Sequence, residues 1–106
     1  MNAEPTIPFA AISFAENQTT RDLMTRRPIA VDLFAGVGGM SLGFEQAGFD
    51  VVAAVEIDPV HCAAHLFNFP ECAVIPRSVV GLTASEIRIA AGIGDREVDC
   101  VFGGPP

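Results

Sequence analysis

The stretch IAVDLFAGVGG, at positions 29–39, joins an apolar run to a glycine-rich turn and constrains the fold more than any other part of the chain. Residues 29–34 are apolar apart from Asp32, a pattern typical of a strand buried on both faces of a parallel sheet. The turn at 35–39 leads into apolar residues at helical spacing, and Gly48 follows them where a helix often ends. This order predicts a strand, a tight turn and a helix.

The same plan repeats along the rest of the chain. Asp58 is placed to cap a helix, and Thr83 with Glu86 forms a capping box at the start of the next one. The alternation predicts an α/β fold, a Rossmann-like open parallel sheet with flanking helices and right-handed crossovers. Cys100, in the last strand, is expected to be a buried thiol. After the first helix, the predicted elements are a strand at 51–57, a helix at 58–68, a strand at 73–75, a helix at 83–92 and a strand at 98–102.

The chain divides into two parts. Residues 1–28 contain several prolines and polar residues and are interpreted as a flexible N-terminal extension, with a short helix near 20–26. Residues 29–106 form the organised part, which has the size of one small domain.

The composition of the chain limits its binding partners and its location in the cell. The net charge of −7 argues against this chain gripping a polyanion by itself, because phosphate binding needs clustered Lys and Arg. The three cysteines lack CxxC spacing, which favours free thiols in a reducing compartment, so a cytoplasmic location is expected. No apolar run approaches the ~20 residues of a membrane helix, so no membrane partner is expected.

A glycine turn and a carboxylate together indicate a nucleoside-containing cofactor. Glycines let the backbone pass close to a ligand, and the helix N-terminus that follows offers free N–H groups. Glu56 ends the second strand, 20 residues after Gly36, where open α/β folds place a carboxylate for the ribose hydroxyls. Ile57 and the segment 77–79 are expected to line the rest of the pocket. The dinucleotide pattern GxGxxG is not met, because Ser41 stands in the place of the third glycine.

The segments DLFAGVGGMSLGFEQAGF, VEID and FGGPP resemble, in their order and spacing, the opening motifs of the DNA cytosine-5 methyltransferases. The resemblance runs from about Ile29 to Pro106. It implies an incomplete Rossmann-like domain, about four strands of the methyltransferase fold, that binds S-adenosylmethionine. It also implies methyl transfer to C5 of cytosine in DNA, in the setting of restriction and modification.

The resemblance assigns roles to individual residues. Phe34 and the turn at 36–39 are expected to contact the methionine portion of the cofactor. Glu56 is expected to hold the ribose hydroxyls while contributing little to the fold, and Ile57 to pack on adenine. Ser78 stands where the family places an aspartate for the adenine amino group, and a neutral hydroxyl accepts a hydrogen bond less strongly. The predicted cofactor-binding residues are Asp32, Phe34, Ala35, Gly36, Val37, Gly38, Gly39, Glu56, Ile57, Ser78, Val79, Gly103 and Pro105.

The same resemblance places the catalytic loop at the end of FGGPP. Pro105 and Pro106 begin that loop, and the family's nucleophilic cysteine comes directly after the second proline. Gly104 has no side chain with which to hold an exocyclic amine, as amino-group methyltransferases do at this point. The chain is therefore interpreted as the N-terminal piece of an enzyme that reaches DNA through C-terminal parts, and this piece alone is expected to be inactive.

Several alternatives remain open on the sequence. The chain is also compatible with a catalytically dead nucleoside-binding fragment or with a piece of a tRNA cytosine-5 methyltransferase, while an NAD-linked protein fits the glycine turn less well. A metal site at His61, Cys62 and His65 is not expected, because no further ligand follows at suitable spacing. The oligomeric state and the DNA recognition sequence are not predicted.

Overall fold

The computed structural model describes residues 26–106, so the expected N-terminal extension and its short helix lie almost wholly outside the described residues. The strands form one parallel sheet in the order β3-β2-β1-β4, which confirms the predicted open parallel sheet. Within this part of the chain, no helix has the length and apolar character that a bilayer crossing requires. The elements are β1 (Ile29–Asp32), α1 (Gly39–Gln46), β2 (Asp50–Val55), α2 (Pro59–Asn68), β3 (Ala73–Ile75), α3 (Ala84–Ala91) and β4 (Cys100–Phe102).

The strand order reverses at β1, which lies between β2 and β4. The chain steps from β1 outward to β2 and β3, and the crossover through α3 returns it to the far side of β1. Because parallel crossovers are right-handed, α1 and α2 cover one face of the sheet and α3 covers the other. A contact between Ser41 of α1 and His65 of α2 agrees with this placement. Open α/β sheets bind ligands beyond the carboxyl ends of the strands at such a reversal.

The helices begin where the predicted caps lie. Asp58 Oδ1 accepts a hydrogen bond from the Val60 N–H at 2.8 Å, and Pro59 occupies the first helical position. The Thr83 hydroxyl accepts from the Glu86 N–H at 3.1 Å, and the Glu86 carboxylate accepts from the Thr83 N–H at 2.9 Å. Both predicted caps are confirmed, and they fix the direction in which the chain leaves β2 and β3.

The core lies along β1 and β2. All four residues of β1 are buried, as predicted for a strand that is covered on both faces. Ala53 and Ala54 of β2 are fully buried, and their small side chains let the helices approach the sheet closely. The ring of Phe44 lies nearly parallel to that of Phe102, with 3.8 Å between the centroids, so aromatic stacking joins α1 to β4.

The last strand departs from the prediction of a buried run at 98–102. It covers Cys100–Phe102, Cys100 is only half-buried, and Val101 exposes 59% of its surface. β4 pairs with β1 along one edge, and within residues 26–106 no strand lies on its other edge. The predicted burial of Cys100 is therefore wrong, because an apolar run identifies a strand but not the number of neighbours that cover it.

Arg27 ties the start of the described chain to the amino end of the sheet. Its guanidinium donates to the Asp50 carboxylate and to the Phe49 carbonyl, each at 2.7 Å. The Pro28 carbonyl accepts from the Asp50 N–H at 2.8 Å. These bonds hold the end of the sheet that is opposite the predicted ligand site.

Candidate functional site

A cleft of about 470 Å³ opens at the carboxyl ends of the strands. Its lining comes from the segments 33–36, 55–57, 77–80 and 104–106, with His61 of α2. Each of the four strands is thus followed by a segment that reaches the cleft. The volume falls within the ~300–1,000 Å³ that is usual for small-molecule sites.

Glu56 lines this cleft directly after β2. Its Oε1 accepts a hydrogen bond from the Gly36 N–H at 2.7 Å, and its Oε2 accepts one from the Asp58 N–H at 2.9 Å. These bonds, the one from Asp58 most of all, lower the pKa of the Glu56 carboxyl although burial opposes them. The carboxylate is therefore ionised at neutral pH, and each oxygen keeps capacity for a further hydrogen bond. Because the two bonds join the glycine turn to α2, Glu56 contributes more to the fold than the sequence led us to expect.

The glycine turn depends on two residues in the left-handed region of backbone conformation. Gly36 has a φ of 55° and Gly38 a φ of 110°. Such angles cost other L-residues about 1–2 kcal/mol. A side chain at Gly38 would also strike the ring of Phe69 and come within 3.2 Å of the His65 ring. Gly38 therefore serves helix packing beneath the turn, whereas Gly36 faces the cleft.

Three buried polar side chains lie beneath this turn. Asp32, Ser41 and His65 are each fully buried. The Ser41 hydroxyl donates to Asp32 Oδ2 at 2.9 Å and lies 3.2 Å from His65 Nε2. Asp32 Oδ1 accepts from the Phe34 N–H at 3.2 Å. Asp32 alone was predicted here, because nothing in the sequence of either helix indicates that Ser41 and His65 face each other.

Apolar surface and a compact turn form the remaining walls. Ile57 exposes 68% of its surface and Val80 79%. Ser78 Oγ accepts from the Val80 N–H at 3.1 Å, so its hydroxyl proton stays available as a donor. The Arg77 guanidinium donates to the carbonyls of Ser78 and Val80, each at 3.3 Å. These bonds set the shape of the segment that follows β3.

The structure brings about half of the predicted cofactor-binding residues to the cleft. His61, Val80 and Pro106 also line it, although they were not among the predicted set. The lining residues from that set are Phe34, Gly36, Glu56, Ile57, Ser78 and Val79. The others lie around the cleft: Asp32 beneath the turn, Ala35 in the core, Val37 half-exposed, Gly38 against Phe69, Gly39 at the start of α1, Gly103 behind Phe34 and Pro105 exposed.

His61, Cys62 and His65, which were considered as a metal site, contact three different parts of the structure. His61 Nδ1 lies 3.7 Å from Glu56 Oε2, at the cleft. Cys62 Sγ donates to the Glu56 carbonyl at 3.1 Å, and His65 lies beneath the glycine turn. Across residues 26–106, no three His, Cys, Asp or Glu side chains are arranged to hold a metal ion.

None of the three cysteines lines the cleft. Burial raises the pKa of the Cys62 thiol, and it raises the pKa of the Cys72 thiol to about 12. Cys100 lies on β4. Since a reactive cysteine needs both thiolate character and access to its substrate, no thiol here is suited to attack a ligand in the cleft.

The family model for C-5 cytosine-specific DNA methylase matches residues 29–106. The type II methyltransferase M.XorII of Xanthomonas oryzae pv. oryzae is 68% identical over 80 residues, which are 76% of this chain and 19% of that protein. M1.HphI of Haemophilus parahaemolyticus is 43% identical over 76 residues, 72% of this chain and 20% of that protein. The chain thus spans about a fifth of the length of the curated relatives it matches.

Solved structures show the same relationship. An E. coli prophage protein assigned as a DNA modification methyltransferase is 43% identical with a TM-score of 0.69, over 74% of this chain and 22% of that one. A mutant of Spodoptera frugiperda DNMT2 is 30% identical with a TM-score of 0.61, over 74% of this chain and 23% of that one. The sheet and helices described above correspond to part of each larger fold.

Proposed function

The chain belongs to the C-5 cytosine-specific DNA methylase family, and on that basis we propose that it forms the S-adenosylmethionine-binding part of an enzyme that methylates C5 of cytosine in DNA. The observation that carries the proposal is the 2.7 Å hydrogen bond from the Gly36 amide to Glu56. It sets an ionised carboxylate against the glycine turn, at the reversal of strand order where such folds bind nucleosides.

The groups that line the cleft fit this cofactor. Glu56 offers free acceptor capacity for two ribose hydroxyls, since each of its oxygens accepts only one backbone N–H. Ile57 and Val80 offer apolar surface for the adenine ring. When bound, the cofactor supplies a methyl group on a positively charged sulfur. The negative charge of Glu56 in a partly enclosed cleft favours a positively charged ligand.

Other residues of the predicted set are proposed to contact the same ligand. Phe34 and the turn at 36–39 would contact the methionine portion, and the N–H groups at the start of α1 favour its carboxylate. Ser78 would meet the adenine edge with a hydroxyl that already accepts from the Val80 N–H. Its free proton makes Ser78 a donor there more readily than an acceptor.

The part played by this chain is to bind and orient the cofactor. Cys62 and Cys72 are buried protonated thiols, and Cys100 lies on β4, away from the cleft lining. None of these thiols is therefore suited to be the nucleophile that attacks C6 of a flipped cytosine. The resemblance places that nucleophile directly after Pro106. We propose that residues 1–106 by themselves bind the cofactor without transferring its methyl group.

DNA is the proposed substrate because the family is described as a DNA methylase and the relatives named above are type II methyltransferases. An NAD-linked role is disfavoured, since Ser41 replaces the third fingerprint glycine and its hydroxyl is engaged with Asp32. The free thiols and bacterial relatives support action in the bacterial cytoplasm.

A chimera tests the proposal directly. The 80 residues of M.XorII that match this chain are replaced by those of this chain, and transfer of tritiated methyl from S-adenosylmethionine to DNA is measured. We expect transfer, and we expect Glu56→Ala in the chimera to raise the KM for the cofactor at least about tenfold. Glu71→Gln removes an exposed carboxylate outside the cleft and serves as the matched control.

Each outcome bears on one part of the proposal. A folded chimera that neither binds S-adenosylhomocysteine nor transfers methyl groups would contradict it. Binding without transfer would limit the proposal to cofactor binding, because the cofactor would then be held but not oriented for the catalytic parts that M.XorII supplies. Equal cofactor KM values for Glu56→Ala and Glu71→Gln would remove Glu56 from the site.

A further inference from the structure

Ser41 and His65 are fully buried polar residues that do not line the cleft. A buried polar group without a partner costs about 1–3 kcal/mol, so their presence in the interior requires a specific role. Ser41 belongs to α1 and His65 to α2, and the 3.2 Å contact between them joins the two helices on one face of the sheet.

Chemistry assigns the protons in this group. The Asp32 carboxylate accepts, so the Ser41 hydroxyl gives its one proton to Oδ2 at 2.9 Å. The Ser41 oxygen then accepts from His65, which places the imidazole proton on Nε2 and leaves Nδ1 bare. Within residues 26–106, Nδ1 has no hydrogen-bond partner. Burial lowers the pKa of His65, with the nearby Asp32 charge acting in the opposite direction, so His65 is a neutral donor.

The contacts of this group reach the residue just before the glycine turn and a residue within the turn. Asp32 Oδ1 accepts from the N–H of Phe34, which lines the cleft. At the other end, the rings of His65 and Phe69 lie 4.9 Å apart and meet the turn at Gly38. The contacts at Phe34 and Gly38 thus flank Gly36, whose amide donates to Glu56.

We infer that Ser41 and His65 are positioning residues, which act through Asp32 and through Gly38 to hold the glycine turn in the shape that the cleft requires. The geometry is independent of the ligand, whereas the effect on cofactor affinity rests on the proposed function. Neither residue touches the cofactor, so a loss should appear as weaker binding and a looser turn.

The role of His65 has a consequence for pH. The charged groups that face it are Asp32, the last residue of β1, and Glu56, which follows β2. His61 of its own helix lies against Glu56. Protonation would add an N–H at Nδ1, which forms no hydrogen bond within residues 26–106, and the His65 main chain offsets only part of the cost of burying the charge. The support of the turn, and with it the affinity for the cofactor, should therefore weaken as the pH falls.

The first experiment needs no ligand. Backbone amide exchange is followed by NMR in the full chain and in Ser41→Ala. We expect the Phe34 amide to exchange about tenfold faster in the variant, while the Ala53 amide of β2 stays within about twofold. The imidazole 15N spectrum of the unsubstituted chain should show a protonated Nε2 and a bare Nδ1 on His65.

The second experiment measures S-adenosylhomocysteine binding by calorimetry at two pH values. His65→Leu has no donor and should bind about tenfold more weakly at neutral pH. His65→Gln can still donate to Ser41 but does not titrate, so it should bind within about threefold of the unsubstituted chain. As the pH falls from neutral to well below 6.5, the unsubstituted chain should lose affinity and His65→Gln should not. Since His61 is present in both, their difference reports on His65.

Either of two results would overturn the inference. One is Phe34 exchange that does not change in Ser41→Ala, and the other is the same pH profile for His65→Gln and the unsubstituted chain. If the unsubstituted chain binds no S-adenosylhomocysteine but the exchange and 15N results are as expected, the proposed function fails and the support of the turn stands.

Discussion

Replacing Glu56 with glutamine is expected to destabilise the fold and weaken ligand binding together. The carboxylate accepts from two backbone N–H groups, that of Gly36 at 2.7 Å and that of Asp58 at 2.9 Å. Glutamine keeps one oxygen and presents an NH₂ group in place of the other. Only one of the two bonds can then remain, and the other backbone N–H meets a donor.

The size of the effect follows from the bond that is lost. A hydrogen bond to a charged acceptor contributes about 1.5–3 kcal/mol. The Glu56 side chain is 12% exposed, so water replaces part of that loss. We expect the lower end of the range, about 1.5 kcal/mol, which lowers the Tm of a domain of this size by about 6–12 °C. Affinity for S-adenosylhomocysteine should fall about tenfold for the same reason.

The pH dependence has a definite sign. Because the folded chain lowers the pKa of Glu56 below 4.5, the unfolded chain takes up its proton first as the pH falls. The stability that Glu56 contributes is therefore complete near neutrality and is lost as the pH falls below 4.5. Glutamine does not titrate, so this part of the acid sensitivity should be missing from the variant.

Thermal unfolding followed by circular dichroism from neutral to acid pH tests these expectations. Asp58→Asn is the matched control, because it removes a charge two residues away while its oxygen can still cap α2 at the Val60 N–H. Two results would refute the reasoning: Glu56→Gln and Asp58→Asn with the same Tm, or Glu56→Gln with the acid sensitivity of the unsubstituted chain.

Three further predictions concern stability. Gly38→Ala should cost more than about 2 kcal/mol in denaturant titrations, because its methyl group meets the Phe69 ring, whereas Gly36→Ala has open space and should cost about 1 kcal/mol. The pKa of Cys72 rises from 9.0 to about 12 on folding, so stability should fall as the pH rises between these values, and Cys72→Val should lack this loss in the same titrations. Thr83→Ala removes the cap of α3 and should lower the Tm by about 4–8 °C in calorimetry.

The parts of the fold that sequence predicted well are those set by local chemistry. Asp58 and Thr83 cap their helices through bonds to residues only two or three positions away, and such bonds follow from residue type and spacing. The approach of Glu56 to Gly36 was also predictable, because neighbouring parallel strands bring their carboxyl ends together. The structure shows that the contact between them is a direct hydrogen bond.

The parts that sequence missed depend on what lies across a tertiary contact. In the sequence, Ser41 was noted only because it replaces the third glycine, and His65 only as a possible metal ligand. Their contact was missed because the sequence of one helix does not show which residue of the other helix it packs against. Cys100 was expected in a buried strand, but burial depends on the number of neighbouring strands, which an apolar run does not specify.

The cleft also has a thermodynamic meaning for the sheet around it. Its walls follow all four strands, including β3 and β4, which are edge strands of three residues each. Any ligand that fills the cleft ties these short edges to the centre, so occupancy and sheet integrity are linked. At 100 times its Kd, a ligand that binds only the folded state adds about 2.7 kcal/mol of stability. The concentration of that ligand would then set how often the edges of the sheet open.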